Sequence, residues 1–487
     1  MNQYRIFKPA SFLDRKNSYR KILAFEPKKP KFNLRFGKIE KTVTVIIIIA
    51  ILVVSAFGFL MQADLNPSTV KPIVNDPTTT PTNSSSPNST IGSPITTITP
   101  PKILDPEPIK TPATPGLFAS SQYMNSSAWK SVAKYAWTYF QPGIGLDSTT
   151  GLPAASLGWN YFTDWDLGVY IQAVIDAQKL GLISPDQEWG SSIRLEKVVE
   201  FLEKRDLVLA GDNSSKIPYW FYSSTGEGYK SQPVLDLADT GTLLVALNNL
   251  KTFNSSLASR INDIVYNNVH GFSNRTDYAN VVSSIKAEAQ ASTSLYAYYM
   301  SAGFAAFFSA LKDAPEQILT NIITAPTVNT YNVTLPKAQI TCEPLLYSFF
   351  YLNYNPKLAT LVNQTYAAHE AKYNAEGQYV AFSEGSGVSG DFIYEFVVLP
   401  NGETWKILKD GDYIDMTAIV YTKVAVSFLS IYNSTFSKNM CIFLENNMSP
   451  PDKGYWAGVT TQGSPVYNLG CNTNSLILAA SRYAVYA

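Results

Sequence analysis

Between Thr42 and Met61 the chain runs for twenty residues without a charge, dominated by Val43, Val45, Ile46, Ile47, Ile48, Ile49, Ile51, Leu52, Val53 and Val54. A helix rises about 1.5 Å per residue, so this run spans the roughly 30 Å hydrocarbon core of a bilayer and predicts a transmembrane helix over 42–61. A cleaved signal peptide would carry a shorter apolar region, of about 7–15 residues, nearer the N-terminus. Large apolar residues are sparse in residues 62–116, and twelve of the chain's 29 prolines fall between Asp64 and Gly116. With so little to bury, this stretch predicts an extended Pro/Thr/Ser-rich linker.

From 117 to 487 the pattern becomes helical. Six segments are apolar on most faces and rich in small residues: Asp166–Leu182, Asp239–Phe253, Ser292–Leu311, Thr341–Leu352, Asp415–Tyr432 and Asn474–Tyr486. Each follows a more polar helical segment, near Ser126–Phe140, Ser191–Lys204, Ser256–Val269, Asp313–Ile323, Pro356–Tyr373 and Ser437–Met448. Helices apolar all round belong inside and amphipathic ones outside. The alternation therefore predicts an all-α (α/α)6 toroid. Joints from inner to outer helix are short, and those from outer to inner are long, roughly 141–163, 205–235, 270–287, 324–340, 374–414 and 449–471. In such a ring the long loops gather over the N-termini of the inner helices, where function is expected. The fifth loop alternates Phe392, Tyr394, Phe396 and Val398 before Asn401-Gly402, which predicts a small β-hairpin.

Charge orients the chain. Residues 1–41 hold twelve Lys and Arg against three acids, although the whole chain balances at 38 against 38. Basic flanks stay on the cytoplasmic side of a membrane. Residues 1–41 are thus expected inside, against anionic lipid, and 117–487 outside at the cell surface. A short tail beside a membrane does not suit nucleic acid. Ten Asn-x-Ser/Thr sequons, from Asn83 to Asn447, all follow the apolar run, which fits a glycoprotein. Three cysteines and two histidines, without CxxC, HExxH or GxxxxGK[ST], argue against a disulfide framework, a zinc site and a phosphate loop. No metal and no cofactor are expected.

The long loops are rich in acids and aromatics. Aromatic faces stack on sugar rings and carboxylates bind hydroxyls, so this end is a candidate glycan site. Glu384, in Ser383-Glu384-Gly385-Ser386-Gly387, has no helix to cap and is the first choice for a general acid. Asp166 is the choice for the opposing base and Asp239 the next, since both open inner helices beneath the loops. Asp164, Glu395, Asn472 and Asn474 are candidates to orient substrate, and Trp165, Trp220 and Trp456 to stack on it. Asp164, Asp166, Asp236, Asp239 and Asp415 also stand at expected helix starts, where a carboxylate caps free N–H groups, so each has a plain structural reading as well.

The stretch Thr163-Asp164-Trp165-Asp166-Leu167-Gly168 runs on to Ala173 and Leu180-Gly181-Leu182-Ile183. Later come Asp236-Leu237-Ala238-Asp239-Thr240-Gly241 and Asn472-Thr473-Asn474-Ser475-Leu476-Ile477-Leu478. In order and spacing these resemble an uncharacterised family of (α/α)6 toroid domains in bacteria and archaea, itself similar to glucoamylase-like and β-glucanase-like glycoside hydrolases. The resemblance covers most of 126–487 and implies a toroid and a carbohydrate substrate; it supplies no catalytic residues. Two functions remain. One is a membrane-anchored glycoside hydrolase-like protein acting on polysaccharide or envelope glycans, with inversion favoured. The other is a non-catalytic toroid that binds glycan or surface-layer proteins from a stalk. The acids at the loop end outnumber what capping requires, which favours the enzyme.

Protease added to intact cells is expected to remove the chain beyond about residue 65 and to spare the basic tail. Protection of 117–487 until the cells are lysed would reverse this orientation.

Overall fold

The computed structural model describes residues 116–121, 124–209, 216–230, 236–266 and 276–487. The basic tail, the apolar run 42–61 and the linker up to residue 115 lie outside the described residues. Among the described residues no helix is long and apolar enough to cross a membrane.

In chain order the longer helices are α1 (Ser126–Trp137), α2 (Asp164–Lys179), α3 (Ser191–Lys204), α4 (Leu237–Phe253), α5 (Ala258–Val265), α6 (Thr276–Ala291), α7 (Leu295–Ala305), α8 (Ala314–Thr324), α9 (Cys342–Tyr351), α10 (Pro356–Glu376), α11 (Thr422–Tyr432), α12 (Thr435–Asn447) and α13 (Cys471–Tyr486). Helices α2, α4, α7, α9, α11 and α13 pack neighbour to neighbour in a closed cycle. Behind them α3, α5, α8, α10 and α12 each pack on the inner helix that precedes them, and α1 packs on α13, which closes the ring. The sequence pattern explains the two layers. Every residue of α2 from Asp164 to Ala177 is buried, whereas α3 buries Leu195, Val198, Val199 and Leu202 at helical spacing.

Glycine lets the inner helices touch. A Cβ on Gly303 of α7 would stand 2.0 Å from the Gly241 carbonyl oxygen of α4, and one on Gly168 of α2 would stand 3.0 Å from the Leu243 backbone.

The connections into the inner helices carry short antiparallel strands. In the first two loops β1 (Tyr161–Thr163) precedes β2 (Leu207–Leu209), β3 (Lys216–Pro218) and β4 (Phe221–Ser223); β1 pairs with β4, and β2 with β3. The fourth loop is a hairpin of β5 (Thr327–Thr330) and β6 (Val333–Pro336). The fifth holds β7 (Glu384–Ser386), β8 (Phe392–Val398), β9 (Thr404–Lys409) and β10 (Asp412–Tyr413), in sheet order β10-β9-β8-β7. It continues into β11 (Ile419–Tyr421), which joins β12 (Trp456–Thr460) and β13 (Pro465–Leu469) of the sixth loop. The hairpin expected from the alternation is β8–β9, with Gly402 at φ +88° in its turn. It is one of several small sheets rather than a lone excursion.

Two expected boundaries move. The fifth inner helix starts at Thr422, because 419–421 pair as β11; Asp415 is therefore an exposed loop residue and caps no helix. The third long loop contains helix α6, an extra helix packed on α7 and α8.

Gly303→Ala should push α7 off α4. Overpacking of this kind costs about 1–3 kcal/mol, read as a lower urea midpoint with an unchanged slope. A midpoint equal to wild type would mean that the helix contact is loose.

Candidate functional site

The N-terminus of α2 is built from its own first residues. The Thr163 Oγ1 accepts from the Trp165 N–H at 3.1 Å. The Thr163 N–H and hydroxyl donate to Asp166 Oδ2 at 3.0 and 3.3 Å, so Asp166 completes a capping box. Burial pushes the Asp166 carboxyl up to about 6, aided by Glu343, while the Thr163 donors and Lys423 pull it down. Two residues earlier, in the same turn, Asp164 pairs with Arg205 at 2.7 Å and accepts the Thr240 hydroxyl at 3.3 Å. The next inner helix opens the same way: Asp236 caps α4, accepting from the Ala238 and Asp239 N–H groups at 2.9 and 3.2 Å. Asp239 is half-buried. Desolvation raises its carboxyl well above the usual range; the charges of Asp236, Asp166 and Asp164 add to the rise, and a hydrogen bond with the Thr163 side chain opposes it.

Three further inner helices and the fifth loop complete the group. Glu343 in the first turn of α9 and Lys423 in that of α11 form a buried ion pair. Trp165 Nε1 donates to Glu343 at 3.2 Å. Burial drives the Glu343 carboxyl up, against the pull of Lys423. The same ammonium donates to the Glu384 backbone carbonyl at 2.8 Å, which fixes β7 over the ring. The Glu384 side chain, only 6% exposed, accepts the Tyr296 hydroxyl from α7 at 2.6 Å. Asp166, Asp239, Glu343 and Glu384 thus come from four separate segments to the mouth of one ring.

The other sequence candidates are placed as follows. Glu395 is fully buried in β8, where it accepts the Ile419 N–H at 2.8 Å, so it ties the fifth-loop sheet to β11. Trp165 is 7% exposed and packed among Tyr296, Tyr299 and Tyr347; it holds Glu343 instead of offering an open face. Trp220 is exposed, and Trp456 is half-buried against Tyr467 at 5.0 Å. The Asn474 amide is occupied by backbone groups of Tyr455 and Gly470, which makes it a loop anchor. Asn472 is half-buried at the start of α13, and its backbone carbonyl accepts the Tyr347 hydroxyl at 3.1 Å. Sequence reasoning passed over Lys423, Tyr296 and Arg205. Lys423 left a signal, a lone charge in an apolar inner segment; the other two left none.

His369 packs between Trp405 and Phe428, and burial lowers it to about 4. Cys342, Cys441 and Cys471 are buried free thiols. Among the described residues no group of three His, Cys, Asp or Glu side chains is arranged to hold a metal ion.

The chain belongs to the DUF3131 family, a protein of unknown function, which it matches over residues 131–486. Its structure is similar to a glucoamylase-like protein of Bacteroides caccae, at 14% identity and TM-score 0.53, over 74% of this chain and 94% of that one. It is also similar to an endo-β-1,2-glucanase of Chitinophaga pinensis, solved with sophorotriose and glucose, at 14% identity and TM-score 0.52, over 74% of this chain and 93% of that one. A third is the endo-β-1,2-glucanase of Talaromyces funiculosus, solved with sophorose, at 12% identity and TM-score 0.51, over 75% of this chain and 87% of that one. At these identities the likeness is one of fold. No curated relative matches the sequence.

Asp166 binds its proton up to about pH 6 when folded and only to about 4 when unfolded. Its raised value therefore stabilises the fold fully below about pH 4, and this contribution is lost as the pH rises through about 6. Unfolding free energy should fall by on the order of 2 kcal/mol across that window, and Asp166→Asn should flatten the decline. A decline equally steep in the variant would assign it to another group.

Proposed function

We propose that the domain is a glycoside hydrolase, held at the cell surface by the 42–61 anchor and the 62–116 stalk, that cleaves a polysaccharide or envelope glycan by carboxylate acid/base chemistry. The observation that carries this reading is the gathering of Asp166, Asp239, Glu343 and Glu384 around one mouth, with burial and mutual repulsion keeping protons on part of the set. Glycoside hydrolysis needs one carboxylic acid to protonate the leaving oxygen and one carboxylate to activate water or attack.

Environment supports a division of roles. Asp239 is half-buried among three other aspartates, and desolvation and their charges raise its carboxyl, so it is the member of the set suited to be the acid. Glu384, which accepts the Tyr296 hydroxyl, is the base. This exchanges the acid role that Glu384 has in the sequence reading. Asp166 shares Thr163 with Asp239 and keeps repulsion on it. The ion pair of Glu343 and Lys423 positions Glu384 through its backbone. The neighbours' folds and the oligosaccharides in two of them support a carbohydrate substrate. The charge asymmetry across residue 42 supports the membrane placement, with lipid and surface-layer proteins as neighbours.

Full-length protein incubated with a glycan panel should release sugar from at least one member, with the anomer of the first product showing inversion. Glu384→Gln and Asp239→Asn should each lower turnover at least about 100-fold with unchanged melting. Activity should fall as the pH rises through the raised Asp239 value, since the acid is lost there. Retention of glycan without any turnover would replace this reading with the non-catalytic binder.

A further inference from the structure

The first two loops leave an aromatic cluster open to solvent. Trp159 and Trp220 are 42% and 37% exposed. Trp159 lies 5.6 Å from Tyr161 and 5.7 Å from Phe221, ring centre to ring centre. Phe221 stacks on Tyr229 at 4.5 Å and meets Trp220 at 5.7 Å. Clustered exposed rings of this kind mark a surface that binds something.

The cluster is a built surface rather than loose side chains. Tyr161 and Phe221 sit on paired strands, with Tyr161 opposite Ser223 and Thr163 opposite Phe221, and the other rings flank them. The Ser224 N–H adds a bond to the Asn160 carbonyl at 2.8 Å. On its other side the first loop is bonded to the sixth: the Leu157 N–H donates to the Leu469 carbonyl, and the Cys471 N–H to the Ala155 carbonyl, both at 2.9 Å. That brings in Tyr467, 59% exposed and stacked edge-on with Trp456. The surface also runs straight into the mouth. Strand β1 ends at Thr163, whose side chain meets Asp166 and Asp239, so Tyr161 stands two residues from the acid group.

Its charge defines the ligand. Residues 155–163 carry no ionisable side chain except Tyr161, and 219–229 add only one charged residue, Glu227. Lys230 directly follows Tyr229, so one base stands beside one acid, and a single cation does not make the cluster that phosphate or nucleic acid needs. Flat rings with hydroxyl-bearing neighbours suit a neutral chain of sugar rings.

We propose that Trp159, Tyr161, Trp220, Phe221 and Tyr229 form a shelf that continues outward from the carboxylates and holds a linear neutral polysaccharide, so that the ligand is a polymer and not a short oligosaccharide. This rests on the reading of the mouth as a glycan-cleaving site. The shelf contributes affinity for the long chain and takes no part in proton transfer.

The test is affinity electrophoresis of the full-length protein in detergent, in gels carrying linear β-1,2-glucan, hydroxyethylcellulose or soluble starch. Wild type and Glu384→Gln should be retarded in the same gel. Trp159→Ala should lose at least about tenfold in affinity there, with a melting curve like wild type. Should that variant fail to fold, Trp220→Ala gives the same readout. On the corresponding trisaccharide the shelf variants should keep kcat within about twofold. Retardation of both shelf variants equal to wild type would overturn the shelf and leave the hydrolase reading standing. A wild type that cleaves oligosaccharides but is retarded in none of the gels would do the same. Loss of turnover in Glu384→Gln with retardation intact separates the chemistry from the shelf.

Discussion

The buried ion pair between Glu343 and Lys423 is the constraint on which the mouth depends. Both side chains are almost fully removed from solvent, at 0% and 3% exposure. Burial of an isolated charge costs several kcal/mol, and loss of one partner from a buried pair about 3–5 kcal/mol. Neither group tolerates a shift in the other, so α9 and α11 are locked in register. Trp165 extends the lock to α2 through its indole N–H, and Lys423 extends it to β7 through the Glu384 carbonyl. Three inner helices and the longest loop therefore share one electrostatic knot, and Glu384 is held by it without giving up its carboxylate.

The ring supplies the frame for that knot. Inner helices buried on every side need small residues where they cross, and Gly168, Gly241 and Gly303 provide them. The outer helices need only one apolar stripe each. Closure through α1 on α13 means that no inner helix has an open flank among the described residues. The long connections then lie over one end of the ring, and their short strands pair across loops, β1 with β4 and β11 with β12. Such pairings convert separate loops into a rim that can hold side chains in place.

Much of this architecture was legible because its signal is local. Alternation of apolar and amphipathic segments needs only helical periodicity, and the six pairs are all present in the structure. Helix α6 was not legible: in Thr276–Ala291 the buried stripe is only Val281, Ile285 and Ala289, too short and too small to stand out from a long loop. The three-residue strands were not legible either: they are too short to show alternation, and β1, β4 and β11 owe their existence to partners far along the chain. The acid group was half legible. Asp166 and Asp239 announced themselves at helix starts, but burial and partners decide what an acid does. Glu395 and Glu384 are eleven residues apart in one loop, yet one is sealed in a sheet and the other meets Tyr296 at the mouth.

The sequence left open whether the aspartates cap helices or do chemistry, and the geometry makes these the same question. A cap holds a carboxylate where helix N–H groups and the dipole favour its charge, worth about 0.5–2 kcal/mol. At this mouth two capped helices point their first turns at each other's carboxylates. Burial and repulsion then work against the caps, and at Asp166 they win, lifting it to about 6 despite two Thr163 donors. At Asp239, which has the neighbouring charges of Asp236, Asp166 and Asp164 and only the Thr163 side chain to oppose them, they win by more. Capping thus fixes where the carboxyls stand, and crowding sets which of them hold protons. A ring that brings helix N-termini together thus raises the proton affinity of carboxyls whose first task is to start a helix.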